Sequence, residues 1–277
     1  MRDNTRRLNP AAYKKQSSRA APSSQVSDVP VPSFFVELPS RGIYYPQDHA
    51  LHNKETIEIK EMTAKEEEIL SSQELIKEKV AIDRFLDSVV VNLDISPQSL
   101  LLADRDAIVY ESRARSYGNK LHLLSYECPA CQAKQKTTTK TTVKIQQEDL
   151  SEYEDICFVN EDGKIEFTFS NGMNLQCNPV DINLESKIIK QIQENPAESF
   201  INVILRTTVV SYGDITDKKE LKTALETIPA RDSKKFRDTY QKMLPQYRAW
   251  TKITCKECDH DTESEVPLGA EWFWLVD

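Results

Sequence analysis

Two Cys-x-x-Cys pairs, Cys128 with Cys131 and Cys255 with Cys258, are the residues here whose type and spacing can do chemistry. Thiolates are strong ligands for zinc, and a tight Cys-x-x-Cys turn puts two sulfurs on one side of an ion. Two such turns complete a tetrahedron with Zn–S bonds of about 2.3 Å. A random scatter of six cysteines over 277 residues rarely produces two such spacings, so the pattern points to a structural Zn2+ site. Four thiolates leave no open coordination position, and a closed site folds the chain around itself instead of activating water. The competing reading is two unrelated turns with free thiols. His260, two residues beyond Cys258, is either a substitute ligand, a support for one, or a surface turn residue. Cys157 and Cys177 lack ligand spacing and read as small buried side chains.

The elements around the pairs are those of a zinc ribbon. Strand-like residues lead into Cys128, and Gln135 to Ile145 (QKTTTKTTVKI) is rich in β-formers. Strand character returns at Ala249 to Ile253 before Cys255 and near Ser264 to Val266 after Cys258. The 123 residues between Cys131 and Cys255 far exceed a compact ribbon, which implies an insertion. Loop-closure entropy grows only logarithmically with length, so the insertion is tolerable when its ends meet.

The rest of the chain supplies that insertion and an N-terminal body. Phe34 to Val36 and Thr56 to Lys60 read as two strands of a β arm. Thr63 and Glu66 form a capping-box pattern, a second helix is expected from about Val80 to Asn92, and a third from an Asp104 N-cap to Gly118. An acidic loop is expected around Glu148 to Asp155. Strands at Lys164 to Phe169 and Met173 to Cys177 flank Asn171-Gly172, a strong hairpin signal. From Asp181 to about Tyr247 the apolar spacing is helical. The expected fold class is α+β: an N-terminal β arm and helical segment, then a split zinc ribbon with a large α/β insertion. Its divisions are a disordered basic tail (1–32), β arm (33–62), helical region (63–118), first ribbon half (119–146), inserted α/β subdomain (147–247), and second ribbon half with an aromatic ending (248–277).

Composition removes several function classes. Six glycines and the lack of a P-loop, Gly-x-Ser-x-Gly or His-Glu-x-x-His motif argue against an enzyme. The histidines are four: His49, His52, His122 and His260. Asp83 and Asp87 sit at helical spacing and read as a solvated face. No apolar run suits a signal peptide or a membrane span, so a reducing cytoplasm is expected, where paired thiols hold metal more readily than they oxidise.

The net charge of −8 weighs against nucleic acid as a partner. Residues 1–32 nevertheless carry six cationic and two acidic side chains, a net +4, leaving −12 for the remainder. That tail is either a solvated arm or one that orders on an acidic partner. Lys134, Lys136, Lys140 and Lys144 form an acid-free stretch, read first as protection of a sheet edge and second as a nucleic-acid contact. Trp250, Trp272, Phe273 and Trp274 lie near the second knuckle. They serve either as a small core over the ribbon or, at Trp272, Phe273 and Trp274, as an aromatic anchor for a partner.

Several ordered segments carry a resemblance. They are Leu38-Pro39-Ser40-Arg41-Gly42 with Tyr45-Pro46, Met62 to Leu70, Leu101-Leu102-Ala103-Asp104-Arg105 leading to Tyr117-Gly118, the two knuckles, and Val266-Pro267-Leu268 with Phe273-Trp274. In this order the chain is similar, after about residue 33, to the baseplate hub proteins of T-even-type contractile-tailed bacteriophages. The resemblance implies a structural or chaperone-like assembly component of a tail baseplate hub, working by contacts with other phage baseplate or hub proteins and without catalysis. It would act in the host cytoplasm during assembly or in the virion tail. Glycine often follows the second cysteine of a knuckle, whereas Gln132 and Asp259 stand there. A zinc-ribbon regulator binding nucleic acid through the basic tail and the lysine strand is the alternative.

Overall fold

The chain enters through β1 (Ser33–Glu37), which pairs antiparallel with β2 (Thr56–Lys60), Phe34 opposite Ile59. Alternation puts Val36, Ile57 and Ile59 in the core and turns Phe35 outward. The intervening loop needs a glycine at Gly42: its φ is +73°, and a Cβ there would lie 2.3 Å from the Lys54 nitrogen. This computed structural model describes residues 30–92, 94–146, 155–197 and 200–274. Met1–Val31 and Pro32–Asp277 are two separate units, and the basic tail up to residue 29 lies outside the described residues.

Four helices follow: α1 (Ala64–Ser71), α2 (Gln73–Lys77), α3 (Ala81–Val89) and α4 (Leu102–Tyr117). The capping pattern at α1 is present, the Glu66 carboxylate accepting from the Thr63 N–H at 2.8 Å and its hydroxyl at 2.6 Å. Helix α3 ends earlier than expected because Val90 leaves to bridge Ile59 on the free side of β2. Gly118, with φ +78°, closes α4 as expected.

Asp104 is not the cap of α4. The helix begins at Leu102, so Asp104 lies in its first turn and points into the core. Its carboxylate accepts from the Ser40 N–H (3.0 Å), the Ser40 hydroxyl (2.6 Å) and the Tyr45 hydroxyl (2.7 Å). Tyr45 in turn accepts from the Leu101 N–H at 3.1 Å. Three segments that carried the resemblance therefore meet in one buried network. An acidic residue there looks like a cap in sequence because caps and first-turn acids share the same residue types.

The second sheet contains β3 (Lys120–Glu127), β4 (Lys134–Gln146), β9 (Gln246–Thr254) and β10 (Asp261–Val266), in the order β10-β9-β4-β3. The third has β5 (Cys157–Val159), β6 (Ile165–Thr168), β7 (Asn174–Cys177) and β8 (Val209–Tyr212), in chain order. The Asn171-Gly172 turn joins β6 to β7, with Gly172 at φ +78°. Residues 148–154 of the expected acidic loop lie outside the described residues.

Between β7 and β9 run α5 (Ile182–Glu194), α6 (Phe200–Thr208), α7 (Lys218–Glu226) and α8 (Ala230–Met243). Strand β8 interrupts what the apolar spacing predicts as wholly helical. Val209 and Val210 follow α6 directly, with no Gly or Pro between to mark an end, and pairing with the edge of β7 decides their conformation. One core cluster runs from Val36 through the α3 and α4 faces to Phe167, Phe236, Tyr240 and Phe273, so the 147–247 segment shares its interior with the helices before it. The chain is a mixed α and β protein whose described residues form three antiparallel sheets.

Candidate metal centre

Strand β4 changes partner along its length. Lys134 to Lys140 pair with β3, whereas Thr141 to Gln146 pair with β9. The β3–β4 and β9–β10 hairpins therefore share a ladder at one end and separate toward their turns. Side chains hold the separating ends together: Thr139 Oγ1 donates to the Lys252 carbonyl at 2.7 Å, the Lys256 N–H to Gln135 Oε1 at 2.9 Å, and Lys256 Nζ to the Lys136 carbonyl at 2.9 Å. The outer strands also touch, Tyr126 Oη lying 2.7 Å from Thr262 Oγ1, so the sheet curls at this end.

Both turns fold alike. The N–H of the first cysteine donates to the carbonyl five residues on (Cys128 to Ala133, 3.0 Å; Cys255 to His260, 2.9 Å). Its own carbonyl accepts from the residue four on (Gln132, 2.8 Å; Asp259, 3.0 Å). Gln132 and Asp259 both adopt the left-handed region, φ +60° and +54°, so they take the conformation for which glycine is favoured. Cys128 and Cys255 are buried, Cys131 and Cys258 exposed.

The four sulfurs lie within 4.8 Å of one another. Cys128 Sγ is 3.8 Å from Cys258 Sγ, and Cys131 Sγ is 3.6 Å from Cys255 Sγ. A tetrahedral ion with sulfur bonds of about 2.3 Å has sulfur–sulfur edges of about 3.8 Å, so the donor set fits a metal. A disulfide would need about 2.05 Å, and all four cysteines are free. The N–H groups of Cys131 and Ala130 pull the Cys128 thiol down to about 6. At Cys258 the His260 N–H lowers the value, but Cys131, burial and the other cysteines outweigh it and push the thiol up to about 12. Four clustered thiols resist simultaneous ionisation without a cation among them.

Among the described residues, the group able to hold a metal consists of these four cysteines. His260 contributes its backbone carbonyl to the turn. Cys157 and Cys177 are buried in β5 and β7, where burial pushes Cys157 up to about 12. Gln135, Lys256, Tyr126 and Thr262, which tie the hairpins together, gave no sequence signal because their contacts join residues more than a hundred positions apart.

A family model for the T4 bacteriophage base plate protein matches residues 42–273. The chain belongs to the T4-type phage baseplate protein family. No curated protein matches it, and no solved structure does. Membership makes this baseplate protein a component of the virion tail baseplate and implies other baseplate proteins as its partners. No helix among the described residues is long and apolar enough to cross a membrane.

The structure places two expected surface features of the baseplate protein and corrects the second. Strand β4 has β3 beside Lys134 to Lys140 and β9 beside Thr141 to Gln146, so among the described residues each half keeps one side without a ladder, and Lys134, Lys136, Lys140 and Lys144 are exposed along it. Glu127 and Glu263 pair with Lys134 and Lys144, and Lys252 and Arg248 beside them are matched by Asp261 and Glu265. The aromatic ending packs against helices, not over the ribbon. Trp272 is buried, stacked on Tyr110 at 5.5 Å with the Arg113 guanidinium 4.0 Å from its ring, and Phe273 is buried against Phe85. A side chain enclosed in its own core cannot anchor a partner, which leaves Trp274, 42% exposed, as the surface residue of the three. Trp250 stays on the sheet, under Lys144.

Proposed function

We propose that this baseplate protein serves the baseplate hub, as a structural part or an assembly chaperone, through protein contacts and without catalysis, and that Cys128, Cys131, Cys255 and Cys258 hold a structural zinc ion. The spacing of the four sulfurs carries the zinc reading: 3.6 and 3.8 Å match the edges of a tetrathiolate tetrahedron. Bound zinc would neutralise clustered thiolates and clasp two hairpins that diverge from a shared ladder. Because β4 and β9 flank the long intervening segment, that clasp would fix its two ends. The order of the motifs along the chain supports the hub, and the absence of an open ligand position supports a non-catalytic role. Expression takes place in the host cytoplasm, where assembly would occur.

Protein purified without chelator should contain one equivalent of zinc, and cobalt exchanged into the site should give the absorption of tetrahedral thiolate coordination. Less than about half an equivalent in folded protein would count against the site. Capture of partners from an infected lysate, compared with the composition of purified particles, tests the hub role. A captured set lacking hub proteins would overturn it.

A further inference from the structure

Among the described residues, the side of strand β1 away from β2 has no paired strand. The Leu38 N–H donates to the Glu55 carbonyl at 2.8 Å and the Glu61 N–H to the Pro32 carbonyl at 2.8 Å. In an antiparallel ladder such pairs recur at every second residue, so Phe34 and Val36 turn their backbone groups toward β2. Ser33, Phe35 and Glu37 therefore turn theirs away from it. Among the described residues, these outward N–H and C=O groups have no backbone partner.

The other side of β2 is occupied. Val91 donates its N–H to the Glu58 carbonyl at 3.3 Å, and Val90 bridges Ile59. Phe35, Glu58 and Val91 thus form one row across the surface, with Phe35 67% exposed and Val91 44% exposed. Protein edges are commonly blunted by lysine, proline or a bulge. Here the outward positions carry none of these, and Pro32 falls in the inner register, where its missing N–H does not affect the open side.

We propose that this edge pairs with β1 of a second copy of the chain, antiparallel about a two-fold axis through Phe35. Phe35 is the central residue of the five-residue strand and of its outward register, so the two-fold satisfies all six outward groups of each copy. Phe35 then faces its own counterpart, an aromatic pair flanked on each side by Glu58 and, one strand further out, Val91. Ser33 faces Glu37, a hydroxyl donor opposite a carboxylate, and no like charges meet. Such a contact is isologous, as a two-fold requires. It is small beside the roughly 1,200–2,000 Å² of a stable interface. The pairing is therefore weak in dilute solution and strengthened where copies are held close together.

Disulfide trapping in the full-length protein tests the register. Residues facing each other in a hydrogen-bonded pair have Cα atoms about 5.5 Å apart, inside the range of about 4.4–6.8 Å that a disulfide spans. F35C under mild oxidation by oxidised glutathione should double in mass on a non-reducing gel, with the new bond mapped to residue 35 in both copies. S33C alone should not, because its two copies are offset by four residues, about 14 Å at about 3.4 Å per residue. A mixture of S33C and E37C should cross-link across the two variants. Wild-type protein in the same oxidant reads any bond through the exposed Cys131 and Cys258. The mixture also covers the case in which F35C alters the fold, which melting in reducing buffer detects. Trapping no greater in F35C and in the mixture than in wild type, or equal trapping in S33C alone, would overturn the proposal.

Discussion

Replacing Asp104 probes whether the loop carrying Leu38 to Gly42 is held to helix α4 by one buried carboxylate. Asp104→Ala removes the acceptor of three hydrogen bonds and strands the Ser40 N–H, the Ser40 hydroxyl and the Tyr45 hydroxyl in the core. Each buried, unsatisfied group costs about 1–3 kcal/mol, and release of the carboxylate from its dry site offsets part of the sum. The net loss should be roughly 3–5 kcal/mol. Asp104→Asn keeps the shape and, with its oxygen on the Ser40 N–H, turns its amide nitrogen to the Ser40 and Tyr45 hydroxyls, whose protons lose their acceptor, so it should lose about 1–3 kcal/mol.

The pH dependence separates charge from shape. Burial outweighs the donors from Ser40 and Tyr45, so the folded carboxyl titrates above its ordinary value of 3.8. Between those two values the folded state binds more protons than the unfolded state. The contribution of Asp104 is therefore greatest below pH 3.8 and declines as pH rises through the folded value. Asp104→Asn has no such slope, so the gap between wild type and Asp104→Asn should narrow as pH rises from about 4 and then stay level. Urea unfolding followed by circular dichroism, with the m-value unchanged, measures each difference. A loss below about 1 kcal/mol for Asp104→Ala would refute the claim that this network holds the loop.

Glu66 should behave oppositely: burial raises its carboxyl, but Lys60, Ser88 and Thr63 outweigh that and hold it at about 2. Its stabilisation is present above the ordinary value of 4.5 and fades as pH falls toward 2, so Glu66→Gln should lose about 2 kcal/mol at neutral pH, allowing for screening, and little near pH 2. Gly42→Ala should destabilise by several kcal/mol through both φ and the 2.3 Å clash with Lys54, whereas Gly118→Ala, strained at φ +78° and ψ −178° but with open space around it, should lose about 1–3 kcal/mol; thermal melting compares them. Trp272→Ala should cost roughly 3–5 kcal/mol and Trp274→Ala under about 1 kcal/mol in the isolated protein, and equal losses would contradict their different burial.

What local rules could reach in this chain was set by interactions within about ten residues. A short apolar run closed by a turn marked β1, alternation marked β2, the Thr63–Glu66 pattern marked α1, Gly118 ended α4, and Asn171-Gly172 marked a hairpin, because each depends on neighbours along the chain. The cysteine spacing likewise singled out the four thiols that lie close enough together to hold a metal, since two thiols in one turn need only that turn. The meeting of the two turns across 123 intervening residues required β4 and β9 to pair. Folding also decided the residues whose chemistry is ambiguous in sequence. Asp104 is polar enough for a cap but satisfied in the core, Val209 and Val210 suit helix or strand until β7 offers an edge, and the lysines of β4 depend on which neighbours flank it. Trp272 and Phe273 look equally fit for a core or an interface, because burying a large aromatic surface is favourable in both; only the helices packed around them make the distinction.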